Sequence, residues 1–460
     1  MKLKLNFHTK PLCLLLATAL LAQVQLTLCS GPIIKNTGRK GLCTAAKTMD
    51  KGAGRAVHVL TRLFNTVEKA TQTALQIKLY AATVAEPVQQ LTYETLAEDV
   101  LAIAKEAAAS GETATQTAIK ATALSAALSG QIKEFLAFIR SGTHGTTEGY
   151  CLAASNDGSN GHTEFDSADC KPGTPRTATI AQQIDSAELS ATGFKAETEP
   201  DSKSTASGGK CIIFNAASNA AATFFQASRP QQTYAGGLLT YNPTTQAIQT
   251  PDPAKLGSGG SPTGDTQAAL TFSALYAIDK YDLKRYPETQ EQIAVQAAQS
   301  GSFATRLQTK IRNLHPKITE AKKVEDAAAA IKKYIGDNQE KISLLIAKFP
   351  TTKVYKPADN KDKGQNVNEL TSLDQLTEVL DYYEQKTRAD LATARAELQQ
   401  LQAQINADKT KITTQICNSK EDAKTCNADK NCKYDENIKE GQKCKLSEEG
   451  KQKAAKKKEK

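Results

Sequence analysis

From Ala53 to Ala81, apolar residues recur at intervals of three, then four, without a slip: Ala53, Ala56, Leu60, Leu63, Val67, Ala70, Ala74, Ile77, Ala81. That is a heptad seam, the pattern that buries one edge of a helix against another helix, and it leaves the chain few folds besides long helices laid side by side. Glu86-Pro87 breaks it, since proline lacks an amide proton and disfavours helix in the residue before it. A second seam follows through Tyr93, Leu96, Val100, Ile103, Ala107, Ala114, Ala121, Leu124, Leu128, Phe135 and Phe138, with Ser110, Thr117 and Gln131 as interruptions. At 1.5 Å per residue the two run roughly 40 Å and 70 Å, and the short break between them predicts an antiparallel hairpin. Alanine dominates both seams, so the helices should approach closely while burying little apolar area each. Such a rod needs further helices, or a second copy of itself, to be stable.

Beyond Arg140 the composition shifts. Residues 141–145, 155–161, 171–177, 202–209 and 257–264 are rich in Gly, Ser, Thr, Asn and Pro and read as loops, with short strands expected at Lys210–Phe214 and Gly237–Tyr241. Helical periodicity returns over Ala268–Lys280, Glu288–Leu314 and Ile318–Lys348. Ser372 with Gln375 forms a capping-box start. Leu391, Ala394, Leu398, Leu401 and Ile405 then give another three-four seam, one that could complete a bundle with the opening hairpin.

The amino terminus sets the compartment. Lys2, Lys4 and Lys10 precede the apolar run Leu12–Ala22, and small residues follow, with maturation expected near Ser30. The run is too short to span a bilayer, so it reads as a cleaved secretory signal, residues 1–29. Of the ten cysteines, Cys13 and Cys29 leave with it. The rest form two sets of four, Cys43, Cys151, Cys170, Cys211 and Cys417, Cys426, Cys432, Cys444. In a secreted chain these read as disulfides, and the long cysteine-free interval between them implies two separately stapled units. The second set has no C-x-x-C pair and no neighbouring histidine, which argues against zinc.

With no tryptophan, 5% aromatics and a mean hydropathy of −0.44, the chain is expected to be thinly cored and elongated. The formal charge of +9 owes much to the run 451–460, and no aromatic-interleaved basic patch supports nucleic-acid binding. Nor is there a catalytic, cofactor-binding or metal-binding constellation. His58 lies beside seam residues, His144 and His162 lie in loops, His8 is in the signal and His315 stands alone. Gly257-Ser258-Gly259-Gly260 lacks the Gly-Lys-Ser/Thr ending of a phosphate loop and reads as flexible. No N-glycosylation acceptor is found, because Asn242-Pro243-Thr244 is excluded by its proline.

This layout resembles the trypanosome variant surface glycoproteins of class A. The resemblance rests on Cys43 before an alanine-rich helical hairpin, on Cys151, Cys170 and Cys211 in the loops after it, and on a small lysine-rich domain with four cysteines at the end. It implies a mainly α fold: a long antiparallel coiled-coil hairpin with additional bundle helices, a loop-rich disulfide-stapled lobe with short β strands, and a small cysteine-rich C-terminal domain. The expected division is a signal at 1–29, an elongated helical variable domain at 30–408, a disulfide-rich domain at 409–448 and a disordered lysine-rich tail at 449–460. By resemblance Cys43 pairs with Cys170 and Cys151 with Cys211. For the last four the family suggests Cys417–Cys432 and Cys426–Cys444, one of three possible pairings.

The resemblance further implies a homodimer on the parasite surface, held to the outer leaflet of the plasma membrane by a glycosylphosphatidylinositol anchor and met by host antibodies. The function implied is a dense coat that serves antigenic variation and immune evasion. A receptor for a host serum protein on the same scaffold, of the transferrin- or haemoglobin-complex-binding type, is the alternative, and a secreted enzyme a third. Two departures from the family stand out. There is no glycan acceptor, and the chain stops at Lys458-Glu459-Lys460 without an anchor-addition signal, which we read as truncation.

Overall fold

The structure is a computed structural model and describes residues 31–142, 150–153, 170, 180, 183–194, 211–217, 223–314 and 319–451. The expected signal, most of the loops between 143 and 210, His8, His144, His162, His315 and the tail from 452 lie outside these residues. The chain divides into two compact units, residues 1–74 with 91–346 and residues 75–90 with 347–460.

Three helices open the first unit: α1 (Asn36–Asp50), α2 (Gly52–Ala82, which leaves the unit after Ala74) and α3 (Pro87–Arg140, which enters it at Leu91). The antiparallel sense of the hairpin is fixed by contacts at its open end. The Asp50 carboxylate accepts from Ser129 Oγ at 2.7 Å and from Lys133 Nζ at 2.9 Å. A Cβ on Gly52 would lie 3.0 Å from Leu275 Cδ1 and 3.2 Å from Ser125 Oγ, so the start of α2 comes close to both.

On α3 the buried seam is a strict heptad, but not quite the expected one. Tyr93, Val100, Ala107, Ala114, Ala121, Leu128 and Phe135 form one row, and Ala97, Ala104, Gly111, Ala118, Ser125, Ile132 and Ile139 the other. The second row lies one residue beyond Ser110, Thr117 and Gln131, the interruptions of the expected seam, and Phe138 is half exposed. Ser110, Thr117 and Gln131 are therefore not breaks in the seam.

A small irregular lobe follows. β1 (Ile34–Lys35) pairs in parallel with β2 (Leu152–Ala153), and β3 (Ala216–Ala217) in parallel with β4 (Phe225–Gln226). β5 (Gln232–Tyr234), β6 (Leu239–Asn242) and β7 (Ala247–Gln249) make an antiparallel sheet in which Thr233 faces Thr240 and Tyr241 faces Ile248. The strand expected at Lys210–Phe214 is instead a single bridge between Cys211 and Gly31 followed by a turn. That expected at Gly237–Tyr241 begins at Leu239, because Gly236 and Gly237 adopt positive φ and turn the chain first. β8 (Gly257–Ser258) and β9 (Ser261–Pro262) are joined by Gly259 and Gly260 at φ +58° and +86°. The glycine-rich stretch read as flexible is thus a two-residue hairpin of the kind that favours glycine at both central positions.

α4 (Gln267–Asp279) starts where Thr266 Oγ1 accepts from the Ala269 amide. The helix expected over Glu288–Leu314 is two, α5 (Gln290–Ala298) and α6 (Gly301–Leu314), because Ser300 Oγ accepts from the Phe303 amide and begins a new one. Likewise α7 (Glu320–Ala330) runs into a π turn at Ile331–Ile335 and stops at Gly336, φ +111°, before α8 (Gln339–Ile346). α6 packs on α7, and α8 on α5.

In the second unit, Glu86 caps the start of α3, its carboxylate accepting from the amides of Val88 and Gln89 with Pro87 in the first turn, where no amide is needed. The hairpin of β10 (Lys353–Lys356) and β11 (Lys361–Asn366) leads to α9 (Leu373–Asn418), which starts in the Ser372/Gln375 capping box. Leu79, Val354, Val367, Leu370, Leu376, Val379 and Tyr383 form the core. Every residue of α9 from Glu384 to Ile405 is exposed, so the seam expected to complete a bundle faces solvent. After it come α10 (Ala423–Asn427) and the antiparallel pair β12 (Cys432–Tyr434) and β13 (Cys444–Leu446).

Candidate functional site

The cysteines of the first set meet in the lobe at the end of the hairpin. Cys43 of α1 is bonded to Cys170 and Cys151 to Cys211, with Cα separations of 5.3 Å and 4.5 Å. All but half-buried Cys43 are fully buried in the main core. Backbone bonds knit the same region: the Ile34 amide donates to Cys151 O at 2.9 Å and the Cys211 amide to Gly31 O at 3.1 Å. In the second unit Cys417 is bonded to Cys432 and Cys426 to Cys444, with Tyr434 and Leu446 packed on the four buried cysteines. The stapled region of the second unit has little apolar packing of its own, so cross-links that restrict the unfolded chain supply much of its order, whereas the first set is embedded in the main core.

Aromatic rings pack within the lobe. Phe214, Phe225 and Tyr241 pack with centroids 5.2 Å apart, and Tyr241 donates its hydroxyl to Phe214 O. Burial raises the Tyr241 phenol well above its ordinary value, so it remains a neutral donor. Phe135 stacks on Tyr234 at 4.8 Å beside an open groove of about 640 Å³ that also borders Glu134, Phe138 and Thr266. Phe224 and Phe138 stay exposed.

A polar strap that the sequence did not reveal crosses the hairpin below the lobe. Arg55, Arg62, Thr66 and Lys69, spaced along α2, donate in turn to the carbonyls of Asp279, Tyr286, Pro287 and Glu288 at 2.9, 2.7, 3.1 and 2.6 Å. From the far side, the hydroxyls of Tyr281 and Tyr286 reach Ser110 of α3. Asp279 is fully buried, accepts from the Ile184 amide at 2.7 Å, and has Arg55 at 3.7 Å and Lys280 at 2.9 Å. Burial lowers the Arg55 pKa and Asp279 opposes the shift.

His58, between Arg55 and Arg62 on α2, is held below the ordinary histidine value, first by burial and then by those two cations. A carboxylate-paired catalytic histidine would be shifted the other way. Of the histidines singled out in the sequence, His58 alone lies in the described residues.

Residues 13–384 match the family model described as "Trypanosome variant surface glycoprotein (A-type)". Over 420 residues, 87% of this chain and 78% of the relative, it is 26% identical to variant surface glycoprotein ILTAT 1.24 of Trypanosoma brucei brucei. It is 23% identical over 417 residues to variant surface glycoprotein MITAT 1.4A of the same organism, covering 88% and 77%. A solved structure described as "Structure of MITat 1.1" has the same fold, with a TM-score of 0.57 at 17% identity, covering 80% of this chain and 99% of that one.

Proposed function

The chain belongs to the A-type trypanosome variant surface glycoproteins and is a surface coat protein, and we propose that it acts by packing densely as a homodimer whose loop-rich lobe is the part offered to host antibodies. The reading rests chiefly on the contrast within the first unit. Heptad positions of α3 are fully buried, so substitution there costs stability. Segments of the lobe are fastened at Cys151, Cys170 and Cys211, and apart from the buried Ile184, Leu189 and Phe194 the sequence between those anchors is largely hydrophilic and rich in Gly, Ser and Thr, a composition that tolerates substitution. A scaffold of this kind keeps its shape while its antigenic surface changes, which is what immune evasion by antigenic variation needs.

Several finer points belong to the same proposal. In this reading the two copies meet along the hairpin, and the exposure of Val57 and Phe64, one heptad apart on α2, supports it. Attachment to the outer leaflet is through a glycosylphosphatidylinositol anchor, tested by release of the chain with a phosphatidylinositol-specific phospholipase. Catalysis forms no part of the role. The disulfides of the mature protein are Cys43–Cys170, Cys151–Cys211, Cys417–Cys432 and Cys426–Cys444, and residues 409–448 form a domain of their own. A mixed disulfide joining the two sets, found by mass spectrometry of the unreduced chain, would overturn that division.

Antibody mapping tests the functional reading. Antibodies raised against intact cells should lose binding on substitution at Asn156, Thr163 or Ser204 and keep it on substitution at Leu60, Val67 or Leu96. The reverse pattern, with folding and expression intact, would refute it.

A further inference from the structure

Over the 22 residues from Glu384 to Ile405, every side chain of α9 is exposed among the described residues, and the stretch is tied to the rest of its unit through the Lys386–Asp362 ion pair near its start, although α9 is one of the longest helices described. Helices in proteins draw most of their stability from a buried face, and this stretch buries none. This one has such a face ready. Leu391, Leu398, Ile405 and Ile412 recur every seven residues, with Ala394 and Leu401 between them, and the four leucine and isoleucine positions Leu391, Leu398, Leu401 and Ile412 are all more than half exposed, at 51, 65, 53 and 55%. The face that packs into the second unit's core ends at Tyr383. Leu391 lies eight residues further on, which turns the seam roughly 80° around the helix from that face. The seam is therefore a separate surface and not a continuation of the core.

We propose that α9 pairs, parallel and in register, with α9 of a second copy of this chain. The heptad spacing requires a partner helix with the same spacing, and three heptads suffice to specify a coiled coil. The flanking charges select the copy and its direction. With Leu391 as position a, Asp390, Glu397 and Gln404 fall at g, and Arg395, Gln402 and Lys409 at e. In a parallel pair each g residue faces the e residue five places on in the other helix. Asp390 then meets Arg395, Glu397 meets Gln402 and Gln404 meets Lys409, with no like charges opposed. An antiparallel pair would instead line up Arg388, Arg395 and Lys409 of both copies along one edge. The weak layer is Asp408 at position d, where two carboxylates would face each other.

This surface adds to the hairpin contact proposed above and is tested separately from it. The experiment uses the full chain with one added cysteine. Under mild oxidation Ala394→Cys, at the interface, should give a disulfide-linked dimer on a non-reducing gel. Ala396→Cys, on the opposite side of α9, should not. Adding Leu398→Asp to Ala394→Cys should abolish the link, and adding Asp408→Leu should increase its yield. An unlinked Ala394→Cys chain overturns the proposal, whether its thiol is open to alkylation or is shielded by another part of the same chain. Equal linking through Ala396→Cys overturns it too. If light scattering reports a dimer while Ala394→Cys stays unlinked, this inference falls and the hairpin dimer stands.

Discussion

The hydroxyl of Tyr286, a residue 1% exposed, donates to Ser110 Oγ at 2.6 Å, and the hydroxyl of Tyr281 reaches the carbonyl of the same serine at 3.0 Å. Ser110 is one of the positions at which the α3 seam lost its apolar residue in the sequence. It is where the strap crosses the helix. Tyr286→Phe keeps the ring and removes the bond, so it should cost about 1 kcal/mol. The denaturant midpoint should fall with an unchanged slope. An unchanged midpoint would mean that the strap does not depend on this bond.

Arg55 holds the other end of the strap, beside fully buried Asp279. Arg55→Ala removes a buried counter-charge from that carboxylate, leaving it Lys280 and the Ile184 amide, and should destabilise the chain by about 3–5 kcal/mol. The double variant Arg55→Leu, Asp279→Leu should recover much of the loss, because no buried charge is then left uncompensated. Thermal unfolding of the three chains checks both statements. A double variant no more stable than Arg55→Ala would contradict the ion-pair account.

The register of α3 makes a sharper prediction. Ala118 is 3% exposed and its neighbour Ile119 is 64% exposed. Ala118→Leu should overpack the seam and cost about 1–3 kcal/mol. Ile119→Ala should stay within about 0.5 kcal/mol of the parent, although it removes the larger side chain. Chemical denaturation separates the two, and a reversed order would mean that the seam runs one residue earlier.

That register also shows what a sequence can reveal. The first row of the seam was readable because Leu, Val and Phe contrast with the polar positions around them. The second row, Gly111, Ala118 and Ser125, carries no such contrast, and the larger side chains of partly buried Leu124 and exposed Phe138 drew the pattern one residue off. The Ser372/Gln375 box was legible because capping is local chemistry, and so was α4. The break at Ser300 carried the same kind of cap signal, but it sat inside continuous helical periodicity. The strap is the hardest case: it joins Arg62 to residues more than 220 positions away through backbone carbonyls, which no spacing encodes. The three-four spacing of α9 suggested a face that completes a bundle with the opening hairpin, but periodicity does not say what covers a face, and here it is exposed.

The second unit should show an acid response. In it Tyr383 donates to Asp362 Oδ1 at 2.9 Å and Lys386 to Oδ2 at 2.7 Å. The Lys386 bond comes first in holding the Asp362 carboxyl below its ordinary value, with Tyr383 adding to it and burial opposing. A carboxylate depressed in the folded state binds fewer protons there than in the unfolded chain. Its contribution is therefore complete above the ordinary aspartate value of about 3.9 and is lost as pH falls below it. Asp362→Asn should flatten this part of the stability profile below about pH 4. An unaltered slope would mean that the pair contributes nothing to acid sensitivity.

The central claim is that this chain is a coat and not a receptor. It is tested most directly by counting copies of the chain on the surface of a living cell that expresses it. The account predicts that this single chain dominates the surface, with copies so numerous that their summed footprint covers the membrane. A count too low to cover the cell, together with tight stoichiometric capture of one serum protein, would contradict it.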